Sequence, residues 1–199
     1  AGRAGKESAA GGTALRVAGG GGAVAGGVRV FHDVGEAREL NRRLSYQASH
    51  DVLTGLVNRR EFEHRMERAL KSAKAHETSY ALCSLDLDQF KIVNDTAGHA
   101  AGDKLLKQVA GLLRSCLRSS DQLARMGGDE FAVLLRNCPV EPGARVAETL
   151  RQVVADLRYD WEGTLFRIGA SIGLVHFDAG ASLSQLLSEA DSACYLAKD

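Results

Sequence analysis

Apolar residues recur along this chain with two periods, and the periods mark its elements. From Ala101 to Leu117 they fall at Leu105, Leu106, Val109, Leu112, Leu113 and Cys116, the spacing of one face of a helix. Phe62, Met66 and Leu70 mark another helix, and Asn58-Arg59-Arg60-Glu61 before it fits a capping box. Helices are also predicted over about Glu141 to Leu157 and Leu183 to Ala197. Ser79 to Asp86 alternates like a central strand, and Phe166 to Phe177 is strand-like. Between the apolar runs Gln122–Met126 and Phe131–Leu135 stand Gly127 and Gly128, which predict a tight hairpin, because primed turns demand positive φ. The order helix, strand, helix, hairpin, helix, strand, helix predicts an α/β fold. It is a ferredoxin-like sandwich, with a mainly antiparallel central sheet flanked by helices.

The N-terminal part follows another pattern. Ten of the first 27 residues are glycine, with many alanines and no large aromatic, a composition that predicts disorder. Val28–Phe31 reads as a short strand. A helix over about Glu36 to Ser49 carries Leu40, Leu44 and Ala48 as a narrow apolar stripe on a charged surface. The predicted organisation is a flexible segment over 1–34, a linker helix over 35–50 and a main domain over 51–199.

Charge and cysteine content narrow the function classes. Lys+Arg and Asp+Glu both number 25 in 199 residues, so there is no basic footprint for nucleic acid, and any phosphate binding must be local. Cys83, Cys116, Cys138 and Cys194 are widely spaced with no CxxC pair, which predicts buried reduced thiols and suits a cytosolic protein. No apolar run approaches the ~18 residues of a membrane span, and no signal peptide is evident.

The candidate chemistry lies at two strand ends. Asp129 and Glu130 follow the glycine pair, where bare backbone lets a phosphate or base approach. Asp86 ends the first central strand, in Leu85-Asp86-Leu87-Asp88-Gln89-Phe90-Lys91, where a short helix begins. Carboxylates from two adjacent strands suit a hard cation such as magnesium, which takes oxygen ligands. The new helix offers free N–H groups near Gln89, Phe90 and Lys91 as a phosphate cradle. Solvated acids at a strand end would read the same way.

Five motifs in combination carry a resemblance: Asp51-Val-Leu-Thr-Gly-Leu-Val-Asn58-Arg59-Arg60, Asp86-Leu-Asp-Gln-Phe-Lys-Ile-Val-Asn94-Asp95, Gly98-His99, Gly102-Asp103 and Gly127-Gly-Asp-Glu-Phe131. Their order and spacing, over about Asp51 to Lys198, resemble the GGDEF domain of the diguanylate cyclase family. The resemblance implies a nucleotidyl-cyclase, palm-like fold. It implies a reaction that joins two GTP molecules into cyclic di-GMP in a bacterial cytoplasm. Asp86, Asp129 and Glu130 would be the catalytic acids, binding two Mg²⁺ (or Mn²⁺) ions per half-site together with the Leu87 carbonyl. Asn94 and Asp103 would read guanine. Lys91, Lys198 and the backbone of Gln89 and Phe90 would meet phosphates. Arg125 matches a basic substrate-binding position. His99 would sit near the nucleotide or fix the turn before the long helix. Arg118 and Asp121 form either a surface salt bridge or the family's inhibitory site for cyclic di-GMP. A homodimer is implied, because two GTP-loaded domains face each other.

The family sequence usually continues past Lys198-Asp199 with Gly-Arg-Asn, whose arginine contacts phosphate, so a fragment of a longer protein is expected. That parent could be membrane-anchored. Val28–Phe31 and the helix after it are similar to the tail of a PAS sensor domain with its signalling helix, or form a simple amphipathic linker. Two other readings stay open. One is a GTP-binding regulatory module beside an EAL phosphodiesterase domain; the other is a dimerisation or docking module. Trp161 is expected to pack rather than to contact substrate.

Overall fold

The computed structural model of the chain describes residues 12–18, 24–31, 34–76, 78–178 and 180–198. It divides into two compact units, Ala1–Gln47 and Ala48–Asp199. In the first unit β1 (Gly12–Ala18) pairs antiparallel with β2 (Val24–Phe31). The expectation of disorder over the first 27 residues is corrected for these strands; residues 1–11 and 19–23 lie outside the described ones. Composition missed the pairing because a ladder of backbone hydrogen bonds requires an extended partner, not large side chains. The helix α1 (Val34–Ser49) starts two residues before the expected Glu36.

The second unit builds a five-stranded sheet. Its strands are β3 (Val57–Asn58), β4 (Tyr80–Asp88), β5 (Gln122–Gly127), β6 (Glu130–Arg136) and β9 (Gly169–Phe177), in the order β3-β5-β6-β4-β9. The short β3 pairs parallel with β5, and every other pair is antiparallel. This is the mainly antiparallel α/β sandwich expected from the element order.

The pleat of β4 and β6 divides the core in two. Ala81, Cys83, Leu85, Leu87, Phe131, Val133 and Leu135 point to one face. There they meet α3 (Phe90–Ala97), α4 (His99–Ser115) and α5 (Val140–Ala155) through residues such as Val93, Leu105, Val109 and Leu150. Tyr80, Leu82, Ala132 and Leu134 point to the other face, against α2 (Arg59–His76) and α6 (Leu183–Leu196). Burial on both faces explains why β4 is apolar along most of its length. Asn58 caps α2 as expected, accepting the Glu61 N–H at 3.0 Å, but Glu61 takes the Arg65 guanidinium at 2.8 Å rather than reaching back.

The strand-like run over Phe166–Phe177 is two strands. Thr164–Arg167 is β8, which pairs with β7 (Arg158–Trp161), and Ile168 buries its side chain before β9 begins. The β7–β8 turn is Glu162-Gly163, with φ of 51° and 83°, the two positive values of a primed hairpin turn. All four cysteines are free; Cys83, Cys138 and Cys194 are buried, and burial pushes the Cys83 thiol up to about 12. Among the described residues no helix is long and apolar enough to cross a membrane.

Candidate active site

Strand alternation selects which groups meet at one end of the central strands. Because Leu85 and Leu87 enter the core, Ser84 and Asp86 face α6, and Glu130 stands directly opposite Asp86 in the β4–β6 register. The hairpin turn lies one residue further on than the sequence suggests. Gly127 pairs with Glu130, so Gly128 and Asp129 form the turn itself, with Gly128 at φ 51°. Asp129 thus occupies the turn, and its carbonyl accepts the Leu87 N–H at 3.3 Å, tying the turn to the end of β4. Asp86, Leu87, Asp129 and Glu130 are brought together as expected.

This cluster carries more negative charge than its surroundings favour. Burial, then the charge of Asp86, hold the Asp129 carboxyl above its ordinary range. Burial followed by Asp86, Asp191 and Asp129 do the same for Glu130. Lys198 provides one counter-charge: its ammonium lies 2.9 Å from Asp86, and that hydrogen bond holds its pKa up. Among the described residues no three His, Cys, Asp or Glu side chains are grouped tightly enough to hold a metal ion. The donor set is nevertheless all oxygen and rich in charge, which is the chemistry a hard divalent cation requires.

The flanking elements bring in residues that the motifs did not reveal. Asp191 on α6 accepts the Ser84 hydroxyl at 2.7 Å and shares a cleft of about 200 Å³ with Asp86, Glu130, Tyr195 and Lys198. A signal was present: Asp191 and Tyr195 are spaced i, i+4 on one face of α6, and Lys198 follows just past its end. Arg59 joins Glu130 and Asp191 in lining a neighbouring hollow. A larger hollow of about 400 Å³ lies elsewhere, among Arg65, Arg68, Tyr80 and Arg136, with no acid in its lining.

Asn94 and Asp103 are joined through Gly102. A Cβ on Gly102 would collide with the Asn94 side-chain oxygen and come within 3.1 Å of the Phe90 ring, so glycine lets α4 approach α3 at this point. Asn94 is half-buried and Asp103 exposed, the arrangement of an open polar notch. Gln89 stands before α3 in the left-handed region at φ 62°, and Phe90 turns its ring into the core. Lys91 points outward and pairs with Asp95 at 3.0 Å. His99 is the exposed first residue of α4.

Arg125 has a structural occupation. Its Nε and Nη2 donate to the Gly128 carbonyl at 3.0 and 2.7 Å, while Nη1 reaches both Asp51 oxygens at 3.2 and 3.3 Å. It clamps the glycine turn to the loop that precedes β3. Arg118 and Asp121 form no salt bridge; Asp121 accepts the Arg118 backbone N–H at 3.1 Å. Their side chains line a groove of about 300 Å³ with Arg136 and Arg145. The groove lies at the opposite end of the six-residue β5 from the glycine turn, about 20 Å away by strand rise.

Comparison with known proteins identifies the family and the fold. The sequence profile of the family described as "Diguanylate cyclase, GGDEF domain" matches residues 48–199. The chain is 47% identical over 175 residues to the probable diguanylate cyclase DgcE of Escherichia coli K12, covering 87% of this chain and 16% of DgcE. It is 38% identical over 170 residues to the diguanylate cyclase DgcM of the same organism, covering 85% of this chain and 41% of DgcM. It thus spans less than half the length of these relatives. The coiled coil and GGDEF domain of DgcB from Caulobacter crescentus, solved in complex with c-di-GMP, superposes with a TM-score of 0.75 at 30% identity. That match covers 83% of this chain and 88% of DgcB's solved chain.

Proposed function

From the premise that the chain belongs to the GGDEF-domain diguanylate cyclase family, we propose that it condenses two GTP molecules into cyclic di-GMP with release of pyrophosphate. The observation that carries this reading is the convergence of Asp86, Asp129 and Glu130 at one end of the central strands β4 and β6, beside Lys198 and the start of α3. In the reaction the 3′-oxygen of one GTP attacks the α-phosphorus of the other. A phosphodiester bond forms, the bond to the bridging α–β oxygen breaks, and pyrophosphate carries that oxygen away. A second such step closes the ring.

Asp86, Asp129, Glu130 and the Leu87 carbonyl would hold Mg²⁺ or Mn²⁺. Such ions supply charge neutralisation at the reacting phosphoryl group. Glu130 accepts the proton of the 3′-hydroxyl, a role suited to a carboxyl whose proton affinity is raised. Lys198 and Lys91 meet phosphate oxygens, as do the backbone groups of Gln89 and Phe90 at the start of α3. Asn94 and Asp103 bind guanine, whose edge offers an O6 acceptor and N1–H and N2–H donors. His99 stands at the edge of this notch. Each domain supplies half of the site, so catalysis needs a homodimer.

Incubation with GTP and Mg²⁺ followed by chromatography tests the reading. Cyclic di-GMP should form and disappear with Glu130→Ala. GTP binding without product would instead make the domain a regulatory GTP binder. The groove at Arg118 and Asp121, with Arg136 and Arg145, binds cyclic di-GMP as an inhibitor. Arg118→Ala should therefore relieve product inhibition, and equal inhibition in that variant would exclude the groove. Leu40 and Leu44, both more than half exposed on α1, are a seam for pairing with a second copy. A chain lacking residues 1–50 should lose activity at low protein concentration; full activity as a monomer would refute the seam.

A further inference from the structure

The β7–β8 hairpin touches α4 on both sides of Asp103. The Tyr159 hydroxyl donates to the Ala101 carbonyl at 2.8 Å, two residues before Asp103. The Lys104 ammonium, one residue after it, lies 5.3 Å from the centre of the Trp161 ring. Tyr159 and Trp161 stand two apart on one strand, so they share a face, and their ring centres are 6.3 Å apart. Phe166 of the paired strand adds its ring 6.2 Å from Tyr159. Tyr159 is 1% exposed, so its hydroxyl is committed to this one acceptor. A tight primed turn at Glu162-Gly163 stiffens the hairpin that carries both rings.

Lys104 lies in the second turn of α4 and Ala101 in the first, where helices fray unless held. That turn enters through Gly98 at φ 82° and has no side-chain cap. It must nevertheless seat Gly102 against Asn94 closely enough to exclude a Cβ. We propose that the β7–β8 hairpin is a brace for base recognition, in which Tyr159 and Trp161 act as positioning residues that hold Asp103 in register with Asn94. The proposal rests on the reading that these two side chains bind guanine. Neither aromatic touches the nucleotide; both act through the first two turns of α4. Phosphate binding at the start of α3 and at Lys198 does not depend on the brace, so base discrimination and phosphate affinity separate.

The test uses the full chain with Mg²⁺ and two probes whose α and β phosphates are joined by methylene, so that pyrophosphate cannot leave. One probe carries guanine and the other adenine. Calorimetric titration gives both affinities, and thermal denaturation checks the fold. Tyr159→Phe keeps the ring and removes only the hydroxyl. It should weaken the guanine probe about two- to tenfold, the range of one lost hydrogen bond, and leave the adenine probe unchanged. Lys104→Met, on an exposed position, should weaken the guanine probe about two- to fivefold through the lost cation–π contact. Proportional loss for both probes, or no loss for either, would overturn the brace. A wild-type chain that binds both probes equally would refute the guanine reading itself, and the brace with it. Discrimination that persists unchanged in both variants would refute the brace alone.

Discussion

Arg125 is the residue where a substrate role and a structural role part most clearly. Replacing it with methionine keeps length and helix-free strand packing but removes four hydrogen bonds. Two of these hold the Gly128 carbonyl and two reach Asp51. The Arg125 and Asp51 side chains are 13% and 24% exposed, between a surface pair and a buried one. Exposed pairs contribute about 0–1 kcal/mol, and removing one partner of a buried pair costs about 3–5 kcal/mol. A loss of about 2 kcal/mol is expected, which for a chain of this size lowers Tm by about 4–8 °C. Arg125→Lys should recover less than half of it, because one ammonium cannot serve both acceptors in the geometry of a guanidinium fork.

The pH dependence has a definite sign. Burial raises the Asp51 carboxyl, but hydrogen bonds from Thr54 and Arg125 outweigh it and hold the group below its ordinary value of 3.8. A carboxylate depressed in the folded state stabilises above its unfolded pKa, and that stabilisation is lost as pH falls through the folded pKa. The gap between wild type and Arg125→Met should therefore be full at pH 7 and shrink below about pH 4. Circular dichroism melts at both pH values measure it. A Tm within about 1 °C of wild type at pH 7 would refute the clamp. Lost GTP affinity at unchanged Tm would return Arg125 to the substrate.

Two further outcomes follow from close contacts and charge. Gly102→Ala places a methyl on the Asn94 oxygen and should lower GTP affinity about tenfold or more, measured by titration; unchanged affinity would mean Asn94 is not held there. Asp129 and Glu130 have raised folded pKa values, so their ionised forms oppose folding above those values, and the opposition vanishes below the unfolded ones. Glu130→Gln should thus raise the Tm measured with a chelator at neutral pH, with the gain disappearing near pH 4; a lower Tm at neutral pH would contradict it.

Much of this molecule was legible along the chain because the relevant physics is local. Helical spacing marked α2, α4, α5 and α6 to within a few residues, and alternation marked β4. Gly127 and Gly128 marked a hairpin because few residues accept positive φ. Asp86, expected to end its strand, lies two residues inside β4, which runs on to Asp88 because β9 pairs with it that far. Local signals were overridden where a partner lay far away in sequence. The turn shifted one residue, to Gly128-Asp129, because the β5–β6 register and the Leu87 N–H set it. Glu61 left its capping role for Arg65.

What only tertiary structure decided is which polar groups meet. Asp51 finds Arg125 across 74 residues, and Ser84 finds Asp191 across 107. Lys198 lands on Asp86, and Tyr159 reaches Ala101 across 58 residues. A residue's periodicity determines the face it occupies, but its partner is determined by which elements share that face. That choice comes from burying both sides of one sheet, a property of the whole chain rather than of any window along it.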